Sequence, residues 1–299
     1  MSYLTQRPVV DAGFEPREGT AGPPPAWQLA ALITLAGLLY YSILVSLAQQ
    51  WWTDPNFSHG VFVPLFVALV IWRNRQELSR IPLRPSWGGL LIIVVALAVL
   101  LVGVFGAELF LSRSSLILLA GGCVIYFAGW RYLRALLLPW LFLFLMVPIP
   151  AIVYNQITLP LQFFASATAA DILRLVGVPV LREGNVIVLP RMPLEVAEAC
   201  SGIRSLMSLG TMAIIYGYFA DSSVWRRVLL GLMAIPVSVA ANALRIVGTG
   251  LTVQYWDPDK ALGFFHEFSG WLIFVVSLIL LFALHALLYK GSRWMGKKT

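Results

Sequence analysis

Long apolar runs alternate with short polar stretches from residue 27 to residue 290. The runs cover 27–47, 87–107, 114–130, 135–147, 228–244 and 268–289. A bilayer core takes about 20 apolar residues per helix, so this pattern predicts an all-α polytopic membrane protein. One stretch breaks the pattern. Val-rich segments flank Glu183-Gly184-Asn185, a turn signal, and predict a small β-hairpin.

The polar stretches orient the path. Arg73, Arg75, Arg80 and Arg84 lie in one of them, and Arg131 and Arg134, and Arg226 and Arg227, lie in two more. Lys290, Arg293, Lys297 and Lys298 follow the last run. Basic residues collect on the cytoplasmic side, so these segments are expected inside together with the N-terminal tail. The expected path has eight transmembrane helices: 27–47, 58–72, 87–107, 114–130, 135–149, 201–219, 228–250 and 267–289. The segment 151–176 is apolar enough to cross, but a crossing there would turn Arg226, Arg227 and the basic tail outward. Pro160 interrupts it, and Asn155, Gln156, Gln162, Asp171 and Arg174 dot it. It is expected to be a re-entrant or interfacial helix on the outer face, just before the hairpin.

Residues 1–26 hold Pro8, Pro16 and Pro23 to Pro25 with mixed charge. They read as a disordered cytoplasmic tail, without the apolar core of a cleavable signal peptide. The expected organisation is that tail, one transmembrane domain over 27–290, and a basic cytoplasmic tail over 291–299. Composition agrees: 59% of residues are hydrophobic and 12% charged, against roughly 25% charged in an average soluble chain. The net charge of +7 follows from the inside loops and gives no reason to expect nucleic acid. The bilayer is the expected surrounding.

Candidate chemistry gathers at the outer boundary. The two cysteines, Cys123 and Cys200, make no CxxC pair, and the three histidines, His59, His266 and His285, are dispersed. No metal site or cofactor is expected. Cys123 sits beside Gly121 and Gly122 and reads as a packing residue. Cys200 lies in EVAEACSGIRSL, 195–206, at the expected outer end of a helix. A helix N-terminus and nearby cations favour a thiolate. Arg204 is at i+4 from Cys200, and Glu198 acts the other way. Arg245 lies about 7–8 Å inside the outer end of the next span, with Asn242 three residues earlier on its face. His266 opens the last span, with Gly270 at i+4 leaving room above that face.

A nucleophile, a cation and a titratable base thus reach one boundary from three spans. That set fits acyl transfer through a thioester at Cys200. His266 would move the protons and Arg245 would hold the oxyanion or the substrate backbone. His59, ahead of the 58–72 segment, is a rival base. His285 is about 28 Å along the helix from His266 and reads as structural.

These residues carry a resemblance. Glu198-Ala-Cys200-Ser201-Gly202, Asn242-Ala-Leu-Arg245 and His266-Glu-Phe-Ser-Gly270 resemble the E-x-C-S-G, N-x-x-R and H-x-x-x-G motifs of the exosortase/archaeosortase family, in that order. FSHGVFVP at 57–64 and REGNVIVLP before the cysteine are also similar to segments of bacterial members. The resemblance implies catalytic Cys200, Arg245 and His266, with Glu198, Ser201, Arg204, Asn242, His59 and Gly270 binding substrate or supporting the site. It implies protein substrates with a tripartite C-terminal sorting tail: a Pro-Glu-Pro type motif, a transmembrane helix and a basic cluster. It implies a multi-pass protein of the inner membrane, with its active site on the extracytoplasmic face and a link to exopolysaccharide and biofilm. Arg204 would then meet the acidic residue of the motif.

Two other functions fit an outward cluster of arginines. A carrier or polymerase of polysaccharide or lipid-linked glycan would need no thiol. A structural subunit of an envelope assembly would depend on no single polar residue.

Overall fold

The computed structural model describes residues 25–196, 202–256 and 264–295, with the side chains of the last segment described over 268–290. The chain divides at Pro150 into two compact units.

The first unit starts with α1 (Ala26–Leu39) and α2 (Tyr41–Thr53), bent by 66° at Tyr40 where a single helix over 27–47 is expected. No proline marks the break. The Tyr40 ring is fully buried, and its hydroxyl is 2.9 Å from Ser115 Oγ. Ser115 in turn donates to the Ser112 carbonyl at 2.7 Å. A single-turn 3₁₀ segment (Ser58–Val61) leads into α3 (Phe62–Arg73) and the short α4 (Arg75–Leu78). Helices α5 (Gly88–Phe105) and α6 (Leu109–Ala128) form a close pair. A Cβ at Gly89 or Gly103 would collide with the backbone of Tyr126 or Ser112, so small residues set this approach, as between membrane helices generally. Glu108 caps α6 by accepting from Leu111 N at 2.8 Å, and Gly129 at φ +92° ends it. The expected span 135–149 is in pieces: α7 (Trp130–Ala135), α8 (Leu137–Phe142) and a 3₁₀ turn (Leu143–Met146). Cys123 packs against the Tyr40, Ala96, Leu100 and Leu119 cluster, in line with a packing role.

The second unit begins with α9 (Ala151–Leu175), which continues through Pro160. Next comes an antiparallel sheet of β1 (Leu181–Glu183), β2 (Val186–Val188) and β3 (Pro193–Glu195), in the order β1-β2-β3. The β1–β2 hairpin turns at Gly184-Asn185 as expected, with Glu183 opposite Val186. The third strand adds to it, with Val186 opposite Glu195 and Val188 opposite Pro193. One face of the sheet is apolar. Ile187, Leu194 and Val196 pack with Ala169 and Leu173 of α9 and with Ile246 and Val253 of the following long helix. Among the described residues three helices complete the unit: α10 (Ile203–Ala220), α11 (Val224–Tyr255) and α12 (Phe264–Met295). Leu209, Ala213, Leu230, Ala234 and Leu281 form their shared core.

Among the described residues four helices are long and apolar enough to span a membrane: α5, α6, α11 and α12. The number rises to six if α1 with α2, and Leu137–Met146 with α9, each make one span. The eight expected spans are not all matched: at 58–72 α3 is too short, and at 201–219 α10 is not apolar enough to count. Large apolar side chains such as Ile33, Leu91, Phe105 and Ile279 remain exposed, as lipid-facing residues do. The protein is an all-α polytopic membrane protein with a small sheet.

Candidate active site

The site is built on α11. Residues three and four apart share a helix face, and Ser238, Asn242, Arg245 and Thr249 make a polar stripe along this one. Ser238 and Asn242 are buried in an otherwise apolar setting. Their surroundings explain why polar side chains are held there.

The stripe meets the start of α10 at Gly202. This residue has φ +83°, a left-handed conformation in which an L side chain is strained. A Cβ there would also stand 3.2 Å from Asn242 Cβ and 3.3 Å from its Cγ. The Ser238 hydroxyl donates to the Gly202 carbonyl at 3.2 Å, and Leu206 N donates to the same oxygen at 2.9 Å. The turn that opens α10 is therefore fixed to α11 twice, by the close packing of Gly202 on Asn242 and by the hydrogen bond from Ser238. Arg204, two residues further, is partly exposed.

One turn along the stripe, Arg245 meets α12 at Gly270. A Cβ at Gly270 would stand 3.1 Å from Arg245 Cζ and Nη2. The glycine gives the guanidinium its place beside the helix. Arg245 is partly exposed, and its carbonyl accepts from Thr249 Oγ1 at 3.0 Å. His266 lies on α12 one turn before Gly270 and so on the same helical face.

Glu198, Cys200 and Ser201 lie outside the described residues, as does the side chain of His266. Of the sequence-predicted site residues, the structure brings together Asn242 with the turn after Cys200, and Arg245 with Gly270. His59 belongs to the first unit. It is buried in the Ser58–Val61 turn, where Gly60 abuts the Trp51 indole and Trp51 Nε1 donates to the Met146 carbonyl at 2.9 Å. Among the described residues no group of three His, Cys, Asp or Glu side chains is placed to hold a metal ion.

A second polar cluster lies at the other end of α10, in the turn to α11. Asp221 is buried and paired with Arg226, whose Nη2 is 2.7 Å from Asp221 Oδ1. Ser223 N donates to the same oxygen at 2.8 Å. His285 of α12 closes the cluster, with Nε2 3.1 Å from Asp221 Oδ2 and Nδ1 3.0 Å from the Tyr216 hydroxyl. The Arg226 guanidinium, above all, holds the Asp221 carboxyl well below the usual carboxylate range. His285, expected to be structural, has partners that no local sequence pattern marks. They lie 64 and 69 residues away.

A family model described as transmembrane exosortase matches residues 51–283. No curated protein and no solved structure matches the chain.

Proposed function

Because the chain belongs to the transmembrane exosortase family, we propose that it is a membrane cysteine peptidase and transpeptidase acting on C-terminal sorting tails of exported proteins. Cys200 is the nucleophile, His266 the proton carrier and Arg245 the oxyanion or backbone clamp. The Cys200 thiolate attacks the scissile carbonyl, the C–N bond breaks, and the leaving amine takes a proton from His266. The acyl group stays on sulfur as a thioester until water or an amine of an acceptor takes it. Arg245 gives positioned positive charge where the oxyanion develops.

One observation carries this reading. Two neighbouring contacts on α11 engage the glycine two residues after Cys200 and the glycine one turn after His266. The three sequence motifs thus share one scaffold. In this reading the substrate tail bears a Pro-Glu-Pro type motif and a transmembrane helix followed by a basic cluster. The chain crosses the inner membrane eight times with both termini inside, and Cys200 faces the extracytoplasmic side. Sorting of this kind serves the surface and its exopolysaccharide.

The test is co-expression with a reporter bearing such a tail. Wild type shortens the reporter and Cys200→Ala at equal membrane level does not, and a trapped thioester identifies the sulfur. A glycan carrier or polymerase would tolerate Cys200→Ser and leave the reporter whole.

A further inference from the structure

The sheet hands the chain on to the segment 197–201 at Val196. This residue is buried in the apolar cluster that also holds Ile246 and Val253 of α11. One residue, Asn185, takes both of its backbone polar groups. Val196 N donates to Asn185 O at 2.9 Å, and Asn185 Nδ2 donates to Val196 O at 3.3 Å. The pair lies one step beyond the last ladder partners, Val186 and Glu195. Asn185 is itself held from α9. It follows Gly184 in the β1–β2 turn, and the Gly184 carbonyl accepts from Ser166 Oγ at 3.0 Å. Ser166 is fully buried. A turn alone would take Asp or Gly here as readily as Asn. The bond to the Val196 carbonyl would not, because a carboxylate only accepts and glycine has no side chain.

The far end of the same segment is fixed at Gly202, by Asn242 and Ser238 of α11. Asn242 and Ile246 are one turn apart on that helix, about 6 Å. Residues 197–201 are thus flanked by two fixed points on neighbouring turns of one helix. We propose that Asn185 is a positioning residue for Cys200: its side-chain amide fixes the Val196 carbonyl and, through it, the leading end of the segment that carries the thiol. This rests on the peptidase reading above and names how that site sets its nucleophile. Asn185 acts through Val196, four residues before Cys200, and takes no part in bond making. Releasing one end of a short segment returns conformational freedom to it, and a displacement of about 1 Å can cost about 10²-fold in rate. Placement also sets the ionisation of the thiol, because the start of α10 favours a thiolate only close by. Binding of the substrate motif does not depend on this placement, so kcat falls and KM holds.

Asn185→Gly deletes the amide and keeps the freedom of the turn. Asn185→Asp keeps the turn chemistry and replaces the donor with an acceptor, and it carries the test if the glycine variant lowers the membrane level. Each is made in a Cys123→Ser background, with Glu183→Ala, exposed in the same hairpin, as control. For a reporter carrying Pro-Glu-Pro, an apolar helix and a basic cluster, kcat is expected to fall about tenfold or more, with KM within about twofold of wild type. The midpoint of the pH profile for alkylation of Cys200 is expected to move by about half a unit or more. The control keeps the wild-type kcat and profile. Hydrogen exchange supplies a readout apart from the chemistry. The Asn185 variants are expected to exchange faster than wild type over 197–202 and at the wild-type rate over 181–188. Faster exchange over both stretches makes Asn185 a residue of the fold and overturns the proposal, as does a wild-type profile with wild-type kcat. A raised KM with unchanged kcat overturns it in favour of a contact with substrate. If the wild-type enzyme leaves the reporter whole, the peptidase reading fails, and the exchange pattern still decides whether Asn185 holds this segment.

Discussion

The Arg245 guanidinium lies against the backbone of Gly270, so close that a single added methyl would stand 3.1 Å from its Cζ and Nη2. The atoms it would meet are the far end of a flexible side chain, which can move aside at small cost to the fold. The consequence should be functional. Gly270→Ala is expected to lower reporter processing tenfold or more while membrane level and Tm stay near wild type. Gly248→Ala, on α11 with open space around it, is the matched control and is expected to process normally. Loss of the folded protein in Gly270→Ala would show that packing, not the placement of Arg245, requires this glycine.

The turn after Cys200 makes a second test. Gly202 combines φ +83° with contact against Asn242. Gly202→Ala is expected to cost about 1–2 kcal/mol in strain alone. Ser238→Ala removes one buried hydrogen bond, worth about 1 kcal/mol, and loosens the same turn from α11. In a Cys123→Ser background the alkylation rate of the remaining thiol reads the effect directly. Both variants are expected to change its pH profile, and Ser238→Thr is expected to restore the hydroxyl and the profile. An unchanged profile in both would separate this turn from the chemistry.

How much of this was written in the sequence depends on the range of each interaction. The apolar runs gave α5 and the core of α11 within a few residues, because a lipid-facing helix is defined by its own composition. The bend at Tyr40 has no local mark, and the hydrogen bond that the buried Tyr40 makes is to Ser115, 75 residues away. The hairpin at Gly184-Asn185 was legible from its turn residues. The third strand was not, because Pro193 argues against a strand except at an edge, which is where it lies. The motif residues could be picked out by type and spacing. That Asn242 meets Gly202 and Arg245 meets Gly270 required the packing of α10 and α12 on α11.

The Asp221 cluster gives a stability prediction with a defined sign. The folded carboxyl titrates well below its unfolded value of about 3.9. Its contribution is therefore present in full above about pH 4 and is lost as pH falls through the depressed folded value. Asp221→Asn strips the buried pairing from Arg226 and His285 and is expected to cost about 3–5 kcal/mol, the range for breaking a buried ion pair. Thermal unfolding in detergent should show a lowered Tm for the variant at pH 6 to 8. The difference from wild type should hold across that range and shrink only in strong acid. Equal Tm values for Asp221→Asn and wild type at pH 6 to 8 would overturn this assignment.

Arg204 tests which end of the site reads the substrate motif. It lies in the first turn of α10, two residues after the anchored Gly202, and is partly exposed. A charge-assisted hydrogen bond to a carboxylate is about twice as strong as a neutral one, and near lipid a cation gains further from pairing. If Arg204 meets the acidic residue of the motif, wild type should process a Pro-Glu-Pro reporter at least tenfold faster than Pro-Lys-Pro. Arg204→Glu should reverse that order, with the lysine reporter regaining most of the lost rate. Rates for the two reporters that fall together in Arg204→Glu would place Arg204 in the scaffold. Motif selection would then rest with other groups.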